Sequence, residues 1–229
     1  MQVVIVAGGL GTRLGNLTKD RPKSLIPVNG KPFLQHQVES LKQNGIQDIV
    51  LCIGHLGNQI QETLGDGSKY GVKVRYSIED RLLGTAGAIK KAENLLDDTF
   101  FTMYGDSYLF LDFAKIMNFF TSFNKSALMT VYKNFNLYDT SNTAIKDNLV
   151  RRYNKVDITE DMVYIDYGVN LFRKSVLDII PEGVHYPLEK VFNQLIDKNQ
   201  LLAFEVKKRF YEIGSFEGLM EFEKFIREQ

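Results

Sequence analysis

Residues 3–27 read VVIVAGGLGTRLGNLTKDRPKSLIP, and this stretch decides the fold. It opens on Val3–Ala7, a short apolar run that is typical of a buried parallel strand. Four further runs of this type follow in the first half of the chain: Asp48–Ile53, Val72–Tyr76, Phe100–Tyr104 and Ala127–Tyr132. Apolar residues at helical spacing lie between them, so strands alternate with helices. This alternation predicts a largely parallel sheet that binds its ligand beyond the carboxyl ends of the strands.

The second half of the chain has a looser pattern. After residue 134 we expect short strands, some of them antiparallel, at Asn142–Lys146, Leu149–Lys155, Met162–Ile165 and Val169–Arg173. Two segments have helical spacing, and a strand between them is expected to return to the sheet: Leu188–Ile196, Phe216–Ile226 and Leu201–Val206. No linker rich in Pro, Gly or Ser separates the halves. We predict one α/β domain over 1–229, with a Rossmann-like, mostly parallel sheet flanked by helices and a small antiparallel lobe.

The charge balance and the cysteine count limit the partners of the chain. Among 229 residues, 28 Lys and Arg face 28 Asp and Glu, so the globally basic profile of a nucleic-acid binder is missing. No segment reaches the roughly 18 apolar residues of a spanning helix, and no basic leader precedes the first strand. Cys52 is the only cysteine, which excludes an intrachain disulfide. We expect a cytoplasmic protein whose partners include neither nucleic acid nor a membrane.

Aromatic residues are abundant, with 16 Phe and 11 Tyr. Most are expected to pack in the core or between helices. A surface cluster of them could serve a homo-oligomer interface.

The glycines after the first strand indicate a phosphate-binding loop. Gly8, Gly9 and Gly11 permit positive φ and carry no side chain, so successive backbone N–H groups can turn toward an anion. Arg13 and Lys23 add positive charge to the same segment. The loop is neither a Walker loop, because GxxxxGK[ST] is absent, nor a dinucleotide fingerprint, because a leucine occupies the third glycine position of GxGxxG.

Four motifs in order resemble a known enzyme family. GGLGTRL with RPKSLIPV, then LGTAGAI at 83–89, YGDSYL at 104–109 and YEIGS at 211–215, are similar to the signature of the sugar-1-phosphate nucleotidyltransferases. The resemblance covers almost the whole chain. It implies transfer of a nucleoside monophosphate from an NTP to a sugar 1-phosphate, with release of pyrophosphate. It also implies that 1–134 is the nucleotide-binding half and that 135–229, with the antiparallel lobe, is the sugar-phosphate-binding half.

The resemblance assigns roles at the nucleotide. Arg13 would hold the triphosphate and the departing pyrophosphate, and Lys23 would lie beside the reacting phosphates, both as catalytic residues. The implied nucleotide-binding residues are Ala7, Gly8, Gly9, Gly11, Thr12, Arg13, Glu79, Asp80, Gly84 and Thr85. The base stays open, because Asp80, Arg81 and Leu82 stand where many relatives have Gln or Glu.

The metal and the sugar phosphate are assigned in the same way. Asp106, after an apolar strand, resembles a Mg²⁺ ligand of the family, and Glu212 stands where relatives carry the Asp of a second ligand motif. Lys155 resembles the lysine that binds the sugar phosphate, although its neighbours differ from the family's Glu and Pro. Gly168 and Asn170 resemble a strand entry that lies against the hexose.

Several activities remain open at this stage. Compact relatives include heptose-1-phosphate and mannose-1-phosphate guanylyltransferases, which we favour, and N-acetylmuramate-1-phosphate uridylyltransferase. A cytidylyltransferase that acts on a phosphorylated alcohol such as phosphocholine uses a similar glycine-rich loop. A non-catalytic, nucleotide-sensing subunit with the same fold is the alternative from another class, and the presence of Arg13, Lys23 and Asp106 argues against it.

Overall fold

The structure is a computed structural model that describes residues 1–9 and 11–229. Its strands are β1 (Gln2–Val6), β2 (Pro27–Val28), β3 (Lys31–Pro32), β4 (Asp48–Ile53), β5 (Lys73–Ile78), β6 (Thr99–Tyr104), β7 (Ser107–Tyr108), β8 (Ala127–Lys133), β9 (Thr143–Lys146), β10 (Leu149–Tyr153), β11 (Tyr164–Arg173), β12 (Leu201–Val206) and β13 (Tyr211–Glu212). Its α-helices are α1 (Phe33–Gln43), α2 (Gly57–Leu64), α3 (Gly84–Lys91), α4 (Phe113–Thr121), α5 (Leu188–Asp197) and α6 (Phe216–Arg227).

A nine-stranded sheet organises the described chain, in the order β5-β4-β1-β6-β11-β8-β12-β10-β9. The neighbours β5, β4, β1 and β6 are parallel, and β12 is parallel to β8. The chain runs outward from β1 through β4 to β5 and then returns to β6 on the other side of β1. The topological switch point therefore lies between β1 and β6, which is where open α/β sheets bind ligands. The predicted α/β fold is confirmed.

The predicted antiparallel lobe is continuous with this sheet. The two strands expected at 162–165 and 169–173 form one strand, β11, which runs antiparallel between β6 and β8. Its pairing with β8 is irregular between Asp166 and Asn170. β9 and β10 form the antiparallel edge beyond β12. Since residues 167–169 have no register partner in β8, this part of β11 can face a ligand.

The strands bury both faces, as parallel strands do. Val3 and Ile5 of β1 pack with α1, α2 and α4, whereas Val4 points to the opposite face and packs with α3 and α5. A third cluster joins α6 to the start of α1 through Phe33 and Phe222. The sequence pattern does not predict α2, whose sequence GNQIQETL carries few apolar residues. Within residues 1–9 and 11–229, no helix is both long and apolar enough to cross a bilayer.

Candidate functional site

A cavity of about 190 Å³ lies at the switch point between the ends of β1 and β6. Its lining residues are Val6, Ala7, Gly9, Gly11, Lys23, Ser24, Thr85, Tyr104, Gly105 and Asp106. Position 105 leaves no room for a side chain, since a Cβ there would lie 2.9 Å from Ala7 Cβ. The Gly105 N–H also donates to Val6 O at 2.9 Å, so the two strand ends are held together. We name this the phosphate cavity.

The backbone of the glycine loop differs in part from the prediction. Of the three glycines that were expected to permit positive φ, Gly11 adopts it at 64°, whereas Gly8 and Gly9 do not. A Cβ at position 11 would lie 3.0 Å from Thr18 Cγ2 and 3.2 Å from Lys23 Cβ, so a side chain there would be crowded by both residues. Thr12 is exposed and lines none of the cavities described here.

Lys23 and Asp106 form an ion pair in the wall of the phosphate cavity. The Lys23 ammonium donates to Asp106 Oδ2, and both side chains are largely buried, with 17% and 23% exposed. Lys23 comes from the loop after β1 and Asp106 from the turn after β6. The pair therefore sits on both sides of the switch point and brings one positive and one negative charge to the same place.

A buried amide holds the turn that carries Asp106. Gln37 of α1 donates through Nε2 to Tyr104 O at 2.9 Å and to Ser107 O at 2.7 Å. These carbonyl groups flank Asp106 in the chain. Sequence reasoning missed Gln37, because a polar residue in an amphipathic helix gives no signal of where its side chain points.

A second cavity, of about 270 Å³, continues from the glycine loop along the ends of β4 and β5. Its lining residues are Gly8, Gly54, His55, Glu79, Asp80, Arg81 and Leu82. Glu79 Oε2 accepts the Leu83 N–H at 3.0 Å, and a Cβ at Gly8 would lie 2.6 Å from Glu79 Oε1. Burial raises the pKa of Glu79. We name this the base cavity.

The small residues at the start of α3 make room for another part of the chain. A Cβ at Gly84, where φ is 70°, would lie 2.9 Å from Tyr186 O, and one at Gly87 would lie 2.8 Å from Val184 O. Tyr186 O accepts the N–H groups of Ala86 and Gly87 at 2.9 and 3.0 Å. Gly84 thus contacts the segment before α5 and lines none of the cavities described here, while Thr85 does line the phosphate cavity.

A third cavity, of about 440 Å³, opens on the other side of Asp106. Its lining residues are Arg13, Tyr104, Asp106, Ser107, Asp139, Thr140, Asn142, Lys155, Ile165, Asp166, Tyr167, Gly168, Phe210 and Glu212. Lys155 and Gly168, both predicted to bind the sugar phosphate, are among them. Asn170 is buried within β11 and does not line the cavity. We name this the sugar cavity.

Asp166 supplies a partly buried carboxylate to the sugar cavity. Its Oδ1 accepts the Gly168 N–H at 3.0 Å, and its own N–H donates to Asn142 Oδ1, also at 3.0 Å. Burial raises the pKa of Asp166, and the positive charge of Lys155 partly offsets that effect. Sequence reasoning missed Asp166 and Asn142, because their proximity depends on pairing between β9 and β11.

Glu212 lies beside Asp106 because β13 pairs with β7, the strand that begins directly after Asp106. Glu212 of β13 is opposite Ser107 of β7, and the Ile213 N–H donates to Asp106 O at 2.9 Å. Burial and the negative charges of Asp106 and Asp139 raise the pKa of Glu212, whereas Arg13 and Lys23 lower it. Among the described residues no group of three His, Cys, Asp or Glu could hold a metal ion together. The two adjacent carboxylates repel each other, and such a pair fits a divalent cation that takes its other ligands from phosphate or water.

Sequence comparison identifies related proteins. A sequence model described as nucleotidyl transferase matches residues 2–229. The chain is 33% identical over 193 residues to D-glycero-alpha-D-manno-heptose 1-phosphate guanylyltransferase of Campylobacter jejuni, covering 84% of this chain and 78% of that protein. It is 32% identical over 224 residues to mannose-1-phosphate guanyltransferase of Yarrowia lipolytica, covering 93% of this chain and 61% of that protein. The chain thus spans less than two thirds of the second relative.

Structural comparison agrees on the fold. A Bacillus anthracis structure assigned as a glucose-1-phosphate thymidylyltransferase, in complex with a sucrose, superimposes with a TM-score of 0.89 at 23% identity. The match covers 100% of this chain and 96% of that chain. At this identity the likeness concerns the architecture.

Proposed function

The chain belongs to the nucleotidyl transferase family, and from this premise we propose that it transfers a nucleoside monophosphate from an NTP to a sugar 1-phosphate. The products are an NDP-sugar and pyrophosphate. The observation that carries the proposal is the position of Asp106, which lines both the phosphate cavity and the sugar cavity. Two substrates bound in these cavities would meet beside Asp106 and Lys23. Residues 1–134 would supply the nucleotide site, and 135–229 most of the sugar-phosphate site.

The proposed reaction needs charge neutralisation more than covalent help. An oxygen of the sugar phosphate attacks the α-phosphorus of the NTP, and the bond from that phosphorus to the pyrophosphate oxygen breaks. Both reactants are anions, so cations must offset their repulsion and the charge that develops on pyrophosphate. Lys23 lines the phosphate cavity, where its ammonium would act as a point charge, and Arg13 faces the same reaction from the sugar cavity. Backbone N–H groups of the glycine loop would add fixed dipoles.

We assign a Mg²⁺ site to Asp106 and Glu212. Oxygen ligands suit this ion, and it usually keeps several waters or substrate phosphates as further ligands, which two carboxylates leave room for. When bound, Mg²⁺ would act as a Lewis acid on the phosphate oxygens. The residues of the chain orient the carboxylates: β7–β13 pairing places Glu212, and the Gln37 amide holds the turn of Asp106.

Guanine is the base that the base cavity fits best. The Watson–Crick edge of guanine carries two adjacent donors, N1–H and the N2 amino group, and a carboxylate accepts both. Glu79 presents such a carboxylate, oriented by the Leu83 N–H. Uracil and thymine offer a single donor between two carbonyl groups, which a carboxylate repels. The two guanylyltransferase relatives are consistent with this choice.

The sugar cavity fits a polyhydroxylated sugar such as a heptose or mannose 1-phosphate. Asp139 and Asp166 supply acceptors for hydroxyl groups, and Asn142 supplies an amide. Lys155 also lines this cavity and would bind the phosphate. We propose that the product serves glycan biosynthesis.

One matrix experiment tests these assignments. Pyrophosphate release is measured with Mg²⁺ for each of ATP, CTP, GTP, UTP and dTTP against heptose, mannose, glucose and N-acetylmuramate 1-phosphates, with phosphocholine as a further acceptor. We expect the highest kcat/KM with GTP and a heptose or mannose 1-phosphate. Glu79→Gln should weaken the preference for GTP over UTP. Tight NTP binding without turnover on any acceptor would contradict the enzyme assignment, and a clear preference for UTP or CTP would contradict the reading of Glu79.

A further inference from the structure

The guanidinium of Arg209 lies between the aromatic rings of Tyr138 and Tyr211. It is 4.1 Å from the ring centroid of Tyr138 and 4.4 Å from that of Tyr211. Its Nη2 donates to Glu221 Oε2 at 2.6 Å, and its Nε donates to Phe210 O at 3.2 Å. A cation within about 6 Å of a ring face is attracted by the ring. The ion pair with Glu221 fixes the orientation of the guanidinium, so Arg209 can hold both rings at once.

Each ring belongs to a residue that directly precedes a carboxylate in the wall of the sugar cavity. Tyr138 directly precedes Asp139, and Tyr211 directly precedes Glu212; both of these carboxylates line the cavity. Tyr211 is fixed, because it pairs with β7 and stacks on Phe225 at 4.5 Å. The arginine therefore connects the wall that carries Asp139 to the wall that carries Glu212.

The wall that carries Asp139 needs such a connection. It is the segment 134–141, and residues 135–140 within it are all exposed. Its buried ends are tied together, since Asn134 Nδ2 donates to Asp139 O at 2.6 Å and to Ser141 Oγ at 3.2 Å. Phe135 and Asn136 have φ values of 47° and 60°, which side-chain-bearing residues rarely adopt. Contacts elsewhere must offset the cost of this backbone, and the ring of Tyr138 on Arg209 is one of them.

We propose that Arg209 is a positioning residue for the sugar phosphate. The stack of Tyr138, Arg209 and Tyr211 ties segment 134–141 to β13 and thereby sets the separation between Asp139 and Glu212. The effect on catalysis rests on the proposed function of the sugar cavity. The effect of Arg209 on the position of segment 134–141 is independent of that proposed function.

The kinetic test compares variants that remove the stack with variants that keep it. Arg209→Ala and Tyr138→Ala should each raise the KM for the sugar 1-phosphate about tenfold, as expected for a partly desolvated cation–π contact, with little change in the KM for the nucleotide. Tyr138→Phe keeps the ring and should retain the wild-type KM. The double variant Tyr138→Ala, Arg209→Ala should be no worse than either single variant. Arg227→Ala, which removes an exposed ion pair of α6, is the matched control.

Hydrogen exchange tests the stack without turnover. Amide exchange over 134–141 in the unliganded protein should become faster in Arg209→Ala and Tyr138→Ala and stay unchanged in Tyr138→Phe and Arg227→Ala. Wild-type exchange in Tyr138→Ala, or effects on KM that add up in the double variant, would overturn the proposal. If the wild type turns over no sugar phosphate while the exchange pattern holds, the proposed function fails and the positioning of the segment stands.

Discussion

Lys23→Ala is the sharpest test of the reaction centre, because it removes the ammonium group that donates to Asp106. Removing one preorganised group at a developing charge typically lowers kcat about 10²–10³-fold. Folding stability should also fall, since Asp106 loses its partner. Loss of one partner from a fully buried pair costs about 3–5 kcal/mol and loss of an exposed pair about 0–1 kcal/mol. With 17% and 23% of the two side chains exposed, the expected cost is between these limits, roughly 1–3 kcal/mol.

Two measurements separate catalysis from folding. Pyrophosphate release at saturating GTP and sugar 1-phosphate gives kcat, and urea unfolding gives the free energy of unfolding. Lys31→Ala is the control, because its ion pair with Glu39 is exposed at 48% and 36%. That variant should lose at most about 1 kcal/mol and keep its kcat. A Lys23→Ala enzyme that stays folded and retains a near-normal kcat would refute the role of Lys23 at the reacting phosphates.

Three further substitutions follow from the geometry. Gly8→Ala places a Cβ 2.6 Å from Glu79 Oε1 and should raise the KM for the nucleotide, but not for the sugar phosphate, about tenfold in steady-state kinetics. Asp166→Asn should raise the melting temperature at pH 7. Burial raises the pKa of the Asp166 carboxyl in the folded protein above its ordinary value of 3.8. The wild-type protein therefore loses stability as the pH rises from 3.8 through the raised pKa. Calorimetry should show that advantage disappear below pH 3.8. Gln37→Leu leaves the turn of Asp106 without its two amide donors and should lower the free energy of unfolding by about 1–3 kcal/mol in urea titrations.

The first half of the fold could be predicted because its signals are local. The apolar run Val3–Ala7 followed by glycines indicates a buried strand and a ligand loop without reference to distant residues, and β1 spans Gln2–Val6. The four later runs become β4, β5, β6 and β8; the bounds of β4 are as predicted, and those of the other three differ by at most about two residues. Lys23 and Asp106 follow two of these strands, so the topology of a parallel sheet was enough to expect them at one edge.

The rest depends on contacts between segments far apart in the sequence. No neighbouring residue in the sequence indicates that Gly84 lacks a side chain in order to make room for Tyr186 O. The small residues at the start of α3 would equally suit a bound base. The position of β11 between β6 and β8 decides that Asp166 faces the sugar cavity, whereas Asn170 on the same strand does not. The alternation of residues along a strand cannot distinguish Asp166 from Asn170, because the irregular pairing with β8 changes which side chains face the cavity.

The distribution of charge explains how one site can orient two anions. Residues 1–31 carry five cations and one carboxylate, although the whole chain is neutral. From this segment, Lys23 lines the phosphate cavity and Arg13 lines the sugar cavity, while Asp139 and Asp166 line the sugar cavity from the second half. In the proposed function, a sugar 1-phosphate has one anionic end and several hydroxyl donors, so its phosphate would be attracted toward the cations, which include Lys155, and its hydroxyl groups toward the carboxylates. We expect that orientation to direct the attacking phosphate oxygen at the nucleotide, because the separation of charge acts before any specific hydrogen bond forms.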